Sequence, residues 1–334
     1  MRAARLARYG SPREVEIREV PPPVLRPHDL LVRVHAAALN PVDVKIRAGY
    51  MRAVVRPRLP FTPGMDLSGV VEAVGPAVTR FSVGDAVFGS PSHKTMGSWA
   101  ELARIDEAEA ALKPASIDHV QAASLPLVAL TAWDSLVRRG PVRNGQRVLI
   151  QAGAGGVGTI AIQLAKHLGA QVLATCSAGN IDLVRSLGAD VVIDYKAEQY
   201  DAVAQGCDLI VESIGPDHFD RALKTLRRRG TLVVLSSGLP EAAVRLGPWL
   251  GALRTGLRLA SLILRAGIRH GVRVVPITRK ADGHALEQVA RLVDAGALKP
   301  VIDSVFSLEK IVEAQTRLES GHCRGKVVLD LRPA

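Results

Sequence analysis

Three glycines in one short segment restrict the fold of this chain more than any other feature of its sequence. Gly153, Gly155 and Gly158 have the spacing GxGxxG between an apolar β run, residues 147–152, and an apolar helical stretch, residues 157–168. In that context the glycines permit a tight turn, close approach of the backbone to a pyrophosphate, and close packing of the helix on the strand. The segment predicts a dinucleotide-binding turn; the alternative is a glycine-rich turn with a purely structural role.

The residues around this turn alternate between strand and helix patterns. Beyond the glycines, β runs are predicted at residues 171–175, 190–194, 208–212, 231–236 and 272–277, and helices at 181–187 and 217–226. Such alternation is typical of a parallel sheet covered by helices on both faces.

The segments that flank this region have a different pattern. Before it lie short β runs separated by glycine and proline turns, at residues 14–20, 30–37, 67–74 and 86–88, and then a helical stretch, 118–138. After it, the tail predicts a helix, a strand, a second helix and a final strand at 283–295, 301–306, 308–319 and 326–331. The first part is typical of an all-β, barrel-like domain. We place the divisions at residues 1–121, 122–280 and 281–334.

Composition narrows the class of protein. The chain has 334 residues, 48% hydrophobic and 22% charged, which is typical of a globular protein of about two domains. The net charge of +11 is compatible with a phosphate-bearing partner, an anionic substrate or a membrane surface. The three cysteines lack the short spacings of metal sites or disulfide frameworks, which favours a reducing compartment, and we predict the cytoplasm.

The segment that follows the glycine turn bears on the choice of cofactor. An acidic residue about 20 positions after the motif binds the ribose 2′-hydroxyl of NAD, but no acid occurs between Asp134 and Asp182. A 2′-phosphate therefore meets no carboxylate, which favours NADPH over NADH. Ser177 and Asn180 can donate hydrogen bonds to that phosphate, and the alternative role for both is to cap a helix.

Several further motifs give the chain a resemblance to a known family. They are Asn40-Pro41-Val42-Asp43, Gly49-Tyr50, Pro63-Gly64-Met65-Asp66, Val83-Gly84-Asp85-Ala86-Val87, Leu130-Thr131-Ala132, Leu187-Gly188-Ala189-Asp190 and Gly325-Lys326-Val327-Val328. With the glycine turn, they resemble the medium-chain dehydrogenase/reductase superfamily, and most closely its zinc-free quinone oxidoreductase branch. The resemblance implies an α/β fold in which a Rossmann domain, a doubly wound parallel sheet, is inserted in a GroES-like β-barrel domain, with the active site in the cleft.

The resemblance also bears on zinc. Zinc-dependent members carry a cysteine where this chain has Asn40 and a His-Glu pair where it has Met65-Asp66, and the four cysteines of the structural zinc lobe have no counterpart. We therefore expect no metal site.

Site residues follow from the same resemblance. It implies that Asn40 and Thr131 lie near the nicotinamide, Gly156 and Val157 at the pyrophosphate, and Ser177 and Tyr195 beside the 2′-phosphate, with Asn180 where many members have a lysine. Ser236, Gly238 and Lys326 complete the expected cofactor-binding residues. For Lys326, an equally weighted alternative is an exposed strand-edge charge that discourages aggregation.

The expected activity is hydride transfer from NADPH to a quinone or other conjugated carbonyl, by a homodimer. One alternative is an enone or enoyl thioester reductase that uses Tyr50 as proton donor; another is an NADPH-binding redox sensor without turnover.

A basic apolar helix is predicted at residues 249–270. Arg254, Arg258, Arg265 and Arg269 form one stripe at helical spacing. The ordinary interpretation is an outer helix with a solvated arginine face, and the alternative is contact with an anionic membrane. Nucleic acid is not expected, because no recognition motif occurs and aromatic residues make up only 4% of the chain. No run is long and apolar enough for a transmembrane span.

Overall fold

The computed structural model describes residues 1–332 and divides the chain into two compact units. The first unit contains Met1–Leu130 and the chain from Lys280 onward, and the second contains Thr131–Arg279. The sequence placed these divisions after residues 121 and 280.

Residues 1–332 contain fifteen strands and eleven α-helices. The strands are β1 (Arg2–Leu6), β2 (Val15–Glu19), β3 (Asp29–Leu39), β4 (Leu67–Val74), β5 (Ala86–Gly89), β6 (Leu102–Asp106), β7 (Ala110–Leu112), β8 (Arg147–Ile150), β9 (Gln171–Cys176), β10 (Val191–Asp194), β11 (Cys207–Glu212), β12 (Leu226–Val234), β13 (Arg273–Pro276), β14 (Ile302–Ser307) and β15 (Lys326–Asp330). The helices are α1 (Pro41–Arg47), α2 (His119–Ala123), α3 (Pro126–Trp133), α4 (Gly156–His167), α5 (Ile181–Ser186), α6 (Tyr200–Val203), α7 (Phe219–Thr225), α8 (Leu239–Leu246), α9 (Pro248–Arg265), α10 (Gly283–Asp294) and α11 (Ile311–Glu319). Two π-helical segments continue α3 and α9, at Asp134–Arg139 and Ala266–His270.

The first unit is built on a seven-stranded sheet with the order β14-β15-β3-β4-β5-β7, and β6 pairs with β3. Strands from the two ends of the chain meet in it, since β15 pairs antiparallel with β3 and places Val328 opposite Ala38. Its apolar core includes Leu30, Leu39, Leu67 and Trp99, each at most 1% exposed. This is the expected GroES-like domain, closed by the C-terminal tail.

The second unit is a six-stranded, fully parallel sheet with the order β10-β9-β8-β11-β12-β13. The chain starts in the middle at β8, runs outward to β10, and returns to continue from β11 to β13. Ligands of such sheets bind at the carboxyl ends of the two central strands, where the direction of winding reverses. The Rossmann prediction is confirmed, and this topology places the glycine turn at that reversal because it follows β8.

The helical stretch predicted at residues 118–138 is helical over most of its length but is divided in two. The chain forms α2 and then α3, because Pro126 has no N–H for a continuous helix and instead starts a new one. None of the helices in the described part of the chain combines the length and the hydropathy that crossing a membrane requires.

Candidate active site

The glycine turn connects β8 to α4. Gly153 N–H donates to the carbonyl of Thr175, at the end of the neighbouring strand, with an N–O distance of 2.7 Å. A Cβ on Gly158 would clash with the carbonyl oxygen of Ala152 and with the backbone of Gly153, so the helix can pack this closely on the turn only with glycine there. The backbone at Ala152 is left-handed, with φ of 51°. The role assigned to the third glycine therefore has a steric basis.

This turn fits a dinucleotide pyrophosphate. Helix α4 begins at Gly156, at the end of a run of small residues. The N–H groups at the start of this helix have no carbonyl partner within it. The first turn contains no acidic residue. When bound here, the dinucleotide supplies the hydride chemistry of its nicotinamide.

The residues assigned to the 2′-phosphate lie together at the ends of two neighbouring strands. Ser177 follows β9, and Asn180 Nδ2 donates to Ser177 Oγ at 3.1 Å. Tyr195 follows β10, and its N–H donates to the carbonyl of Cys176 at 3.2 Å. The Oδ1 atom of Asn180 is buried without a hydrogen-bond partner among the described residues. The side chains of Ser177 and Asn180 are therefore in contact, and Tyr195 follows the neighbouring strand at the same end of the sheet.

Ser236 and Gly238 follow β12 at the same carboxyl end of the sheet, and β8 and β11 separate them from β9. Gly238 has φ of 78°, and a Cβ there would lie 2.6 Å from Pro216 Cγ, so this loop packs on the loop that follows β11. Sequence reasoning missed Glu212, which holds that loop: its Oε1 accepts the N–H groups of Ile214 and Gly215 at 2.8 and 2.7 Å. Burial raises the pKa of Glu212 to about 7.

A second polar site lies in the first unit, where the sheet register brings three distant residues together. Asn40 follows β3, Asp66 precedes β4, and Lys326 begins β15. Because β3 pairs with both other strands, these positions share one edge of the sheet. Lys326 is 5% exposed, and Asn40 and Asp66 are fully buried.

The hydrogen bonds of this cluster fix the orientation of the Asn40 amide. Lys326 Nζ donates to Asn40 Oδ1, and Asn40 Nδ2 donates to Asp66 Oδ2 at 2.9 Å. Lys326 Nζ also lies 3.0 Å from Asp66 Oδ2, and the other Asp66 oxygen accepts the N–H of Leu127 at 2.8 Å. The exposed-edge interpretation of Lys326 is wrong, because β15 is an interior strand and the ammonium is enclosed.

Asp43 is a fourth buried polar residue beside this cluster. It is the third residue of α1, and its Oδ2 accepts the N–H of Asn40 at 2.9 Å, which satisfies a donor at the helix start. Its Oδ1 is buried without a partner. Burial raises the pKa of Asp43 to about 7, and the charge of Asp66 adds to this while Lys326 opposes it.

Tyr50 and Thr131 lie in other segments of the chain than the cluster residues. Tyr50 follows α1, is 38% exposed, and its phenol makes no hydrogen bond to another described residue. Thr131 lies in α3 as the first residue of the second unit, where its carbonyl accepts the Ser135 hydroxyl at 2.7 Å.

The residues at Asn40 and Asp66 do not fit a zinc ion. Zinc sites in proteins are built from thiolate, imidazole and carboxylate ligands, whereas the cluster offers one carboxylate, one amide and an ammonium that repels a cation. Among residues 1–332, no group of three or more His, Cys, Asp or Glu side chains is arranged to hold a metal ion.

Comparisons with known proteins agree with this architecture. Residues 26–115 match the model of the alcohol dehydrogenase GroES-like domain, and residues 187–329 match that of the zinc-binding dehydrogenase. The chain is 37% identical over 331 residues to the bovine (Bos taurus) NAD(P)H oxidoreductase RTN4IP1, mitochondrial, covering 93% of this chain and 83% of the relative. It is 35% identical over 317 residues to the NADPH-dependent alkenal/one oxidoreductase, chloroplastic, of Arabidopsis thaliana, covering 92% and 73%.

A solved structure gives the same result. The quinone oxidoreductase from Coxiella burnetii superposes with a TM-score of 0.86 at 30% identity, covering 99% of each chain. These likenesses and the fit of the glycine turn make the protein an NADPH-dependent oxidoreductase. The chain belongs to the medium-chain dehydrogenase/reductase superfamily, in its quinone oxidoreductase-like branch.

Proposed function

We propose that this enzyme transfers hydride from NADPH to a quinone or another conjugated carbonyl without a catalytic zinc ion. The observation that carries the proposal is the enclosed Asn40–Asp66–Lys326 cluster, in which Asn40 and Asp66 stand where zinc-dependent members have metal ligands and Lys326 balances the charge of Asp66. Without a Lewis acid to stabilise an alkoxide, alcohol oxidation loses its main electrostatic support. Reduction of an acceptor that is already electron-poor does not need that support.

The chain's own groups bind and orient in this proposal. The first turn of α4 holds the pyrophosphate, and Ser177, Asn180 and Tyr195 form the pocket for the 2′-phosphate. Asn40 and Thr131 are the proposed residues of the nicotinamide and substrate region. Lys326 keeps the amide of Asn40 in one orientation, since it occupies Oδ1 and leaves Nδ2 as the donor.

Reduction of an enone or alkenal is the second candidate. The name of the Arabidopsis relative favours it, and the exposed phenol of Tyr50 supports it on this chain. Hydride addition to an enone gives an enolate that needs a proton, and a phenol that makes no hydrogen bond to another described residue can supply one. A reduced quinone takes up protons from water more readily, so its reduction depends less on proton donation by Tyr50.

One feature supports the proposed homodimer, and another supports the proposed compartment. Strand β13 has one neighbour in the described sheet, and its free edge can pair with a second copy to give the proposed homodimer. Cys176, Cys207 and Cys323 are free thiols, which supports a reducing compartment such as the cytoplasm.

The test is NADPH oxidation by the purified chain with quinones, enones and alcohols, and with NADH in parallel. We expect acceptor-dependent oxidation of NADPH that a zinc chelator leaves unchanged. Gly158→Ala should abolish NADPH binding in calorimetry, whereas Gly256→Ala, with no atom within 4 Å of its added Cβ, should bind normally. NADPH binding without oxidation by any acceptor would favour the redox sensor, and chelator-sensitive turnover would contradict the zinc-free mechanism.

A further inference from the structure

Helix α9 presents an apolar surface to solvent. Six side chains on α9 and its π-helical extension are each between 60% and 75% exposed: Trp249, Leu250, Leu253, Leu257, Leu264 and Ile268. From Leu250 onward they are spaced by three, four, seven and four residues, so they form one row along the helix, which we call the apolar stripe. Exposed apolar groups scattered singly are ordinary, but a continuous row of this size marks an interaction surface.

The fold does not use this stripe, because the opposite face of α9 makes the packing contacts. Leu262 and Ala266 are fully buried in the core of the second unit. Gly251 faces α8, where an added Cβ would lie 2.6 Å from the backbone nitrogen of Ala243. Helix α9 therefore has two apolar faces, and only one of them is covered in the described structure.

Arginines line one edge of the apolar stripe, about 100° around the helix from its centre. They are Arg254, Arg258, Arg265 and Arg269. Arg258 and Arg265 lie 3.4 and 3.2 Å from the exposed carboxylates of Asp217 and Asp220. Arg254 and Arg269 have no acidic partner among residues 1–332. The face predicted to be a solvated arginine surface is thus an apolar row with a basic margin.

The charge of the surrounding sequence is one-sided. Between Glu241 and Asp282 there is no acidic residue, while the same segment holds seven arginines and one lysine. If two copies met through this surface, each would place an acid-free, positively charged helix against the other, and the like charges would repel. An anionic surface compensates the same charges.

We propose that the apolar stripe and its arginine margin dock this protein on an anionic lipid surface, with α9 lying in the plane of the interface. Leucines on one face, basic residues beside them and an interfacial tryptophan are the chemistry of a helix that lies on a membrane rather than crossing it. Trp249, 64% exposed at the start of α9, suits the headgroup level. This inference is independent of the proposed reaction.

The test is flotation of the full-length protein with vesicles of phosphatidylcholine alone or with about one third phosphatidylglycerol. We expect binding only to the anionic vesicles. L253Q/L257Q/L264Q should weaken it more than tenfold, because three leucines no longer leave water. R254Q/R269Q should weaken it about thirtyfold, since each basic residue near an anionic leaflet contributes roughly fivefold. R56Q/R58Q removes two exposed arginines from the first unit and should bind like the wild type.

NADPH oxidation with a water-soluble acceptor shows whether each variant is folded, since none of these residues is placed in the catalytic site. Equal flotation with both kinds of vesicle, or none with either, would overturn the proposal. So would equal losses in R254Q/R269Q and R56Q/R58Q, because net charge alone would then explain binding. A dimer that L253Q/L257Q/L264Q converts to a monomer in sedimentation would assign the stripe to a second copy instead.

Discussion

The ammonium of Lys326 lies 3.0 Å from Asp66 Oδ2, although the two residues are 260 positions apart in the chain. Both are almost wholly removed from water, so each charge depends on the other. Breaking a buried ion pair by removing one partner leaves an uncompensated charge and costs about 3–5 kcal/mol.

Lys326→Met should therefore lower the free energy of unfolding by about 3–5 kcal/mol, measured by urea denaturation at neutral pH. The double variant K326M/D66N should recover much of that loss, because it also removes the orphaned carboxylate. If K326M unfolds at the same urea concentration as the wild type, Lys326 and Asp66 are not an energetically coupled pair.

Asp43 predicts a pH dependence of stability that a single substitution can isolate. Burial raises its pKa from 3.8 to about 7, so the folded state favours the protonated acid. This contribution is fully present below pH 3.8 and is lost as pH rises through about 7. Asp43→Asn keeps an acceptor for the Asn40 N–H but cannot ionise.

The stability of D43N relative to the wild type should thus increase between about pH 4 and 7. Thermal melts across that pH range measure this difference. Asp43→Ala is the matched control: it also cannot ionise, but it loses the hydrogen bond at the start of α1, at a cost of about 1 kcal/mol. A stability difference between D43N and the wild type that stays constant with pH would contradict the raised pKa.

The fold of the second unit could be predicted from the sequence because the patterns that indicate it are local. Alternating strand and helix patterns and the GxGxxG spacing lie within short windows, so α4 was predicted within one residue at each end. The contacts within the polar cluster could not be predicted from local patterns. Lys326 is 286 positions from Asn40, and only the sheet register joins them, so neither neighbourhood in the sequence signals the contact.

Helix α9 illustrates another limit. Its arginine row was visible in the sequence, but the helix is apolar on two sides, and periodicity cannot say which side is packed. Tertiary contacts through Leu262 and Ala266 decide that, and they leave the apolar stripe outside. The break between α2 and α3, by contrast, had a usable signal in Pro126.

Asn180 tests the basis of cofactor choice. It lies beside Ser177 at the end of β9, where many family members have a lysine. Asn180→Lys would add a cation next to the proposed 2′-phosphate site, and we expect the ratio of kcat/KM for NADPH over NADH to rise about tenfold. Ser177→Asp would add a carboxylate there, and the same ratio should fall by at least about tenfold through repulsion. Equal ratios in both variants and the wild type would show that the 2′-phosphate does not bind beside Ser177 and Asn180.

Tyr50→Phe separates the two candidate reactions. The phenol is exposed and makes no hydrogen bond to another described residue, so its loss should leave the fold and NADPH binding intact. Quinone reduction should stay near the wild-type rate. Enone reduction should fall by roughly 10²- to 10⁴-fold, which is the contribution of general acid catalysis. Tyr9→Phe is a matched control that also removes one phenol hydroxyl. The Tyr9 hydroxyl is engaged by the carbonyl of Pro57, so its loss should leave both reactions unchanged. Unchanged enone rates in Y50F would remove Tyr50 as the proton donor.

His119 gives the first unit a sensitivity to acid. Its Nδ1 lies 2.8 Å from Ser68 Oγ, and because that hydroxyl donates to the carbonyl of Val87, the imidazole is the donor. Burial lowers the pKa of His119 from 6.5 to about 4, and the charge of neighbouring His35 acts in the same direction. The stability that depends on the neutral ring is present above pH 6.5 and is lost as pH falls toward 4.

His119→Asn keeps a donor near Ser68 and removes the titration. In thermal melts between pH 7 and 5, the wild type should lose a few degrees of Tm more than H119N does, although H119N starts lower because the smaller side chain leaves a cavity. His93→Asn, at an exposed histidine, should follow the wild type at every pH. Parallel Tm curves for the wild type and H119N would show that His119 does not titrate with unfolding, and the acid sensitivity would then lie elsewhere.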